Sequence, residues 1–317
     1  MSKREIAIAI HGGAGADSEY IQENISGYES GLREAIELGR QLLLQGGTAM
    51  DAVCLAVKCL EDNVLFNAGC GSALNHEGKA EMDAAVMDGT NLEAGAVAMV
   101  TGVKNPIDLA RAVMEKTNHV LLSGYGAVDF AKQIRAELKD EAYFVSEHQR
   151  EELAKSRDES EAELLHKRQK GTVGAVALDQ YGNLAAATST GGTTNSLPGR
   201  IGDSCLIGAG CYAYNETCAV SGTGDGEILI RNVTSHSLSM LMESAGCSLQ
   251  EACDLVVHQR NKLSGDVGII AVNRNGEIGI AFNSQRMHRA WVANDEPLEV
   301  RIYPVKPDMP SNISGDY

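Results

Sequence analysis

Four runs in this chain are apolar at consecutive rather than alternate positions: Ile6 to Ile10, "VGAVAL" from Val173, "LAAAT" from Leu184 and "VGIIAV" from Val267. A half-solvated strand alternates apolar with polar residues, so such runs predict strands covered on both faces. Turn chemistry pairs them. "GTVGAVALD" and "NLAAATST" flank "QYG" as one hairpin, and "DVGIIAVN" and "EIGIAFN" flank Asn275-Gly276, a strong turn signal, as another.

Helices fill the intervals. The first is expected over about Tyr28 to Leu44. A second opens at Thr48, with Asp51 three residues on as a variant capping box, and turns Val53, Val57 and Leu60 to one face. A strand near Ala96 to Thr101 precedes a helix starting at Asn105-Pro106, where proline suits the first helical position. Further helices are expected over about Glu227 to Ser244 and Ser248 to Leu263, the latter opened by a Ser248/Glu251 capping box. Strands, then helices, then strands argue for helices outside packed sheets. From about Val145 to Lys170 the chain is dense in charge; it reads as a linker or tail, with Leu153, Leu164 and Leu165 permitting a solvated helix.

Composition removes several classes of function. A formal net charge of −16, without a basic block or interleaved aromatics, opposes nucleic-acid binding. No run nears the roughly 20 apolar residues a membrane span needs, and the run after Met1 is too short for a secretory signal. The eight cysteines lie singly without C-x-x-C spacing, as buried thiols in a reducing cytoplasm would. Abundant glycine against scarce proline (34 and 6) marks places of close backbone approach. Two stretches, "HGGAGA" and "GTGDGE", suggest a nucleotide loop, yet neither completes G-x-G-x-x-G or ends in Gly-Lys-Ser/Thr.

Thr172 follows a glycine and the charged segment and opens a buried strand. A threonine hydroxyl needs an adjacent base to act as a nucleophile. Cleavage at Gly171-Thr172 would supply one, the freed α-amine. Taken alone, a β-branched strand residue is the simpler reading. The segments that follow change the balance: "TSTGGTTN" carries Thr190, "LPGRIGDS" carries Arg200 and Asp203, and "SGTGDGE" carries Thr223, Gly224 and Gly226.

With "HGGAG" at His11, "LFNAGCGS", "MDAAVMDG" and "SGTGDGEILIR" in order, the sequence resembles the plant-type asparaginase and isoaspartyl peptidase family over nearly its whole length. The resemblance implies an α+β, four-layer αββα sandwich. It implies an α subunit of residues 1–171 with a charged tail over about 145–171, a β subunit of 172–317 and an (αβ)₂ assembly. Thr172 would be the nucleophile, steered by Thr190; Thr223 and Gly224 would hold the oxyanion. Arg200 and Asp203 would grip the substrate's α-carboxylate and α-ammonium, with Gly226 lining the pocket. Main-chain carbonyls of Leu60, Glu61, Asn63, Phe66, Ala68 and Cys70 would wrap a sodium ion, and no organic cofactor is implied. His11 is expected to be structural and Asp225 to tune specificity. The implied substrates are small molecules, L-asparagine and β-aspartyl dipeptides. A glycosylasparaginase-like amidase and a catalytically inert relative that binds small molecules stay open as alternatives.

Overall fold

The computed structural model describes residues 5–158, 171–261 and 263–304. Among the described residues, twelve strands form two sheets. They are β1 (Ala7–Gly15), β2 (Met82–Asp88), β3 (Ala94–Val100), β4 (Leu121–Ser123), β5 (Val173–Leu178), β6 (Leu184–Thr190), β7 (Cys211–Ala213), β8 (Cys218–Gly224), β9 (Val267–Asn273), β10 (Ile278–Phe282), β11 (Arg286–Ala293) and β12 (Glu299–Arg301). The larger sheet runs β12-β11-β1-β5-β6-β2-β3-β4, antiparallel except for the β3–β4 pair, and the smaller runs β10-β9-β8-β7. Both expected hairpins form: Val173 to Leu178 pairs with Ser189 to Leu184, and Gly268 to Val272 with Phe282 to Ile278.

Alternation within the apolar runs sorts residues by size. On β1, Ile8 and Ile10 face the helices, packing with Leu32, Ile36, Val53 and Val57. Ala7 and Ala9 face the second sheet, against Ile270 and Val272. Small residues let the two sheets approach, while bulky ones fill the helix layer. Val220, Ile269 and Ala271 then turn outward from the smaller sheet onto Leu229, Leu238 and Val257. Three apolar layers between four structural ones give the expected αββα sandwich. Truncating a fully buried residue such as Ile8 to alanine would cost about 2–5 kcal/mol.

Local signals set most helix starts. Thr48 Oγ1 accepts from Asp51 N at 3.1 Å and caps the helix Ala49–Glu61, and Ser248 and Glu251 form the reciprocal box before Leu249–Asp254. Pro106 occupies the first turn of Pro106–Lys116.

Three expectations need correction. The helix expected from Glu227 to Ser244 is two helices, Gly226–Asn232 and Thr234–Ala245, separated by Val233 at φ 46°, a conformation β-branched residues rarely adopt. The helix expected to reach Leu263 leaves α geometry after Asp254, where the Arg260 N–H reaches back five residues to Leu255 O at 2.8 Å. Third, part of the charged segment is packed. Glu147–Asp158 is helical, with Leu153 buried against Leu74, Met82 and Phe144; Leu164 and Leu165 lie outside the described residues. No helix among the described residues is long and apolar enough to cross a membrane.

Candidate active site

Thr172 stands immediately before β5, beside the centre of the larger sheet, and is buried. Two donors converge on the carbonyl oxygen before it. Asn67 Nδ2 donates to Gly171 O at 2.7 Å and Thr190 Oγ1 donates to it at 3.1 Å. Both donors are held in turn. Asn67 also donates to Gly192 O at 2.8 Å and accepts from Ala73 N at 2.7 Å, while Thr190 Oγ1 accepts from Gly192 N at 3.1 Å. Thr190 ends β6, the partner strand of β5, so sheet pairing brings residues 172 and 190 together. Asn67 was missed in the sequence: an amide in "LFNAGCGS" has no local signature of what it touches.

Behind Thr172 runs a polar chain through the core. His11 Nδ1–H donates to Thr172 O at 2.8 Å, leaving Nε2 to accept from Ser221 Oγ at 2.9 Å, and Ser221 lies 2.7 Å from Thr188 Oγ1. Burial pushes the imidazole down to about 3, outweighing its bond to Thr172, so His11 is neutral and its tautomer is set by these partners. The structural role expected for His11 is what it has here: it fixes the main chain of residue 172.

Across the site, β8 carries Thr223 and Gly224 at its end, paired with Gly268 and Val267. Thr223 Oγ1 is fully buried and has no hydrogen-bond partner among the described residues. Gly224 takes φ +114°, and a Cβ there would lie 2.2 Å from Asp266 O. A buried hydroxyl without a partner costs about 1–3 kcal/mol, a standing cost that a bound oxyanion would relieve.

Arg200 and Asp203 meet at Gly226: a Cβ on residue 226 would fall 2.8 Å from Arg200 Nη2 and 2.8 Å from Asp203 Oδ1. They do not bond to each other as a simple surface pair would. Arg200 instead forms a two-pronged bond to Glu227, 3.0 Å from Nε and 3.0 Å from Nη2, which sequence reading did not anticipate. Partial burial opposes it, but Arg200 holds the Glu227 carboxyl well below the usual carboxylate range. Asp203 is buried, and Oδ2 has no hydrogen-bond partner among the described residues. Desolvation pushes its carboxyl up to about 7 against the pull of Arg200, so a cation beside it would restore the carboxylate. Asp83, also unforeseen, anchors this loop by accepting from Gly202 N at 3.0 Å and Met99 N at 2.9 Å.

The loop Leu60 to Gly71 closes the other flank. The sodium site expected of it would be built from main-chain carbonyl oxygens, hard donors of the kind such a cation takes. Carbonyls of Leu60, Asn63, Phe66 and Ala68 accept the main-chain N–H groups of Asn63, Phe66, Ala68 and Gly71. Gly69 and Gly71 make room, because a Cβ would lie 2.2 Å from Glu61 O and from Phe66 O respectively. Glu61 Oε1 accepts from Ser189 Oγ at 2.6 Å and Ile107 N at 3.0 Å, tying the loop to the residue beside Thr190.

Known proteins match this sequence over nearly its whole length. The chain is 46% identical over 301 residues to the isoaspartyl peptidase of Salmonella typhimurium, covering 92% of this chain and 96% of that one. It is 46% identical over 313 residues to the isoaspartyl peptidase of Escherichia coli, with 95% and 97% covered. The human isoaspartyl peptidase/L-asparaginase is 42% identical over 300 residues, with 94% and 96% covered. A family match that runs from residue 4 to residue 302 takes in Asn67, Thr172, Arg200 and Thr223 alike, and places the chain in the asparaginase family.

Proposed function

We propose that the protein hydrolyses β-aspartyl dipeptides and L-asparagine through a β-aspartyl ester on Thr172, after cleaving itself between Gly171 and Thr172. The observation that carries this reading is the grip on the Gly171 carbonyl by Asn67 and Thr190, one residue before a buried threonine. In the first reaction Thr172 Oγ attacks the Gly171 carbonyl carbon, and the two donors take the developing oxyanion. The Gly171–Thr172 C–N bond breaks, the hydroxyl proton ends on the Thr172 nitrogen, and water opens the resulting ester. Gly171 becomes a carboxylate and Thr172 an N-terminal residue with its hydroxyl restored.

In turnover the new α-amine takes the hydroxyl proton as Oγ attacks the substrate's side-chain carbonyl. Thr223 Oγ1 and the Gly224 N–H receive the oxyanion, and the α-ammonium returns the proton to the leaving nitrogen. Water then releases aspartate. Arg200 and Asp203 read the substrate's α-carboxylate and α-ammonium, while Glu227 holds the guanidinium in place and leaves Nη1 to the ligand. Sodium bound by the carbonyls of Leu60, Glu61, Asn63, Phe66, Ala68 and Cys70 would brace the loop carrying Asn67. The same reading takes two cleaved chains as an (αβ)₂ assembly in the cytoplasm.

Intact-mass analysis over time and N-terminal sequencing test the first step: a fragment starting anywhere but Thr172 would sink it. A paired assay of β-Asp-Leu and α-Asp-Leu on the cleaved protein tests the second. The α-linked isomer has lost the free α-carboxylate to a peptide bond, so comparable turnover of the two would remove Arg200 and Asp203 from the account.

A further inference from the structure

On the Gly171 side of the scissile bond lies a cavity of about 40 Å³, lined by Gly171, Asn67, Gln149, Thr194, Arg286 and His288 among others. That is room for about three water molecules. Its polar walls are unusually unsatisfied. Arg286 Nε, Thr194 Oγ1, Gln149 Oε1 and His288 Nε2 are all buried and, among the described residues, have no hydrogen-bond partner. The Arg286 side chain projects from the start of β11 opposite Gly15, and the residue is only 5% exposed. The Asp17 and Asp266 carboxylates act on Arg286 through space, but its Nε–H has no hydrogen-bond partner among the described residues, a buried donor that is costly unless an acceptor arrives to meet it. Polarity is divided in a useful way. Arg286 and Thr194 offer donors; His288 Nε2 offers a lone pair, because Nδ1–H donates to Gly12 O at 3.3 Å. Gln149 Oε1 faces in because its amide nitrogen donates to Gly71 O at 3.4 Å.

Chemistry says what arrives. In the proposed turnover the leaving nitrogen takes its proton from the Thr172 α-amine, so it must lie within hydrogen-bond reach of Thr172 N. In the uncleaved chain the group bonded to that nitrogen is Gly171, which lines this cavity. The space Gly171 vacates is therefore where the leaving group extends. For asparagine that group is ammonia; for a β-aspartyl dipeptide it is an amino acid bearing a carboxylate two bonds from the nitrogen.

We propose that Arg286, with Thr194, is the specificity-determining residue that binds the α-carboxylate of the amino acid released from β-aspartyl dipeptides, while Gln149 and His288 accept from its amine. This rests on the dipeptidase reading above and adds the half of the substrate that Arg200 and Asp203 do not touch. Cleavage gives Gly171 a carboxylate as well, so the same chemistry has a second source within the chain.

The experiment compares β-Asp-Leu, β-Asp-leucinamide and asparagine as substrates of cleaved wild type, Arg286→Gln and Arg286→Lys. Wild type should prefer the free acid to the amide by about tenfold or more in kcat/KM, chiefly through KM. Arg286→Gln should erase that preference and lower the ratio of β-Asp-Leu to asparagine efficiency by a similar factor; Arg286→Lys should restore part of it. Equal use of acid and amide by wild type overturns the proposal without any variant, and would leave the Gly171 carboxylate as the partner of Arg286. A variant that lost all three substrates in proportion would also overturn it, making Arg286 a structural residue. Wild type that hydrolysed neither asparagine nor β-Asp-Leu would instead remove the dipeptidase reading on which the inference stands.

Discussion

The two polar regions flanking Thr172 differ in one respect. The two donors to the Gly171 carbonyl are themselves held: Asn67 and Thr190 bond to it, and Gly192 and Ala73 fix them there. Across the site, Thr223 Oγ1 and Asp203 Oδ2 are buried and unpartnered among the described residues. One region is already complementary to the bond in the chain itself; the other is complementary to nothing present. Satisfied donors mark a reaction whose reactant is built in, and unsatisfied ones a reaction whose reactant must bind. On the proposed reading, the first region serves self-cleavage and the second turnover.

The largest expected effect falls where the regions share an atom. Thr172→Ala should leave one chain and abolish turnover, on the order of 10⁶-fold as for other lost nucleophiles; mass spectrometry and a β-Asp-Leu assay check both, and a cleaved yet inactive variant would separate the reactions. Next comes a double dissociation. Asn67→Ala should slow self-cleavage by about 10²–10³, and Thr223→Val should lower kcat of already cleaved protein by a like factor. Each should affect the other reaction less, and equal effects on both would dissolve the comparison. Gly226→Ala should cost on the order of 10² in kcat/KM, since its Cβ would force apart Arg200 and Asp203 by roughly an ångström; the rate of self-cleavage should barely change.

The smallest expected effect is a pH limb. Burial raises the Asp203 carboxyl to about 7, so below that value it holds a proton and cannot receive the substrate's ammonium. Efficiency should then fall about tenfold per pH unit on the acid side, in kcat/KM because the free enzyme is what titrates. Asp203→Asn should lower kcat/KM throughout and flatten that limb; a limb that persisted would belong to the Thr172 α-amine.

Much of this was legible in the chain. Consecutive apolar runs mark strands covered on both faces, and Thr48, Pro106 and Ser248 mark helix starts because capping is chemistry among residues a few positions apart. Ordered motifs singled out Thr172, Thr190, Arg200, Asp203, Thr223 and Gly224 as candidates, residues whose types already suggest nucleophile, donor or ion. Val233 escaped, since a β-branched residue at positive φ runs against local propensity and only its neighbours in space hold it there.

The partners of those residues were the other omission. Asn67 lies 104 positions from Gly171, Ser221 lies 210 from His11, and Asp83 lies 119 from Gly202. Nothing in an asparagine, serine or aspartate says what it will touch when the contact is that remote along the chain. Local sequence determined the elements and the reactive groups. Sheet order, which sets β5 between β1 and β6 and turns β8 toward them, decided which carbonyl each donor meets and which buried atoms were left without a partner, because such contacts exist only once the strands are packed.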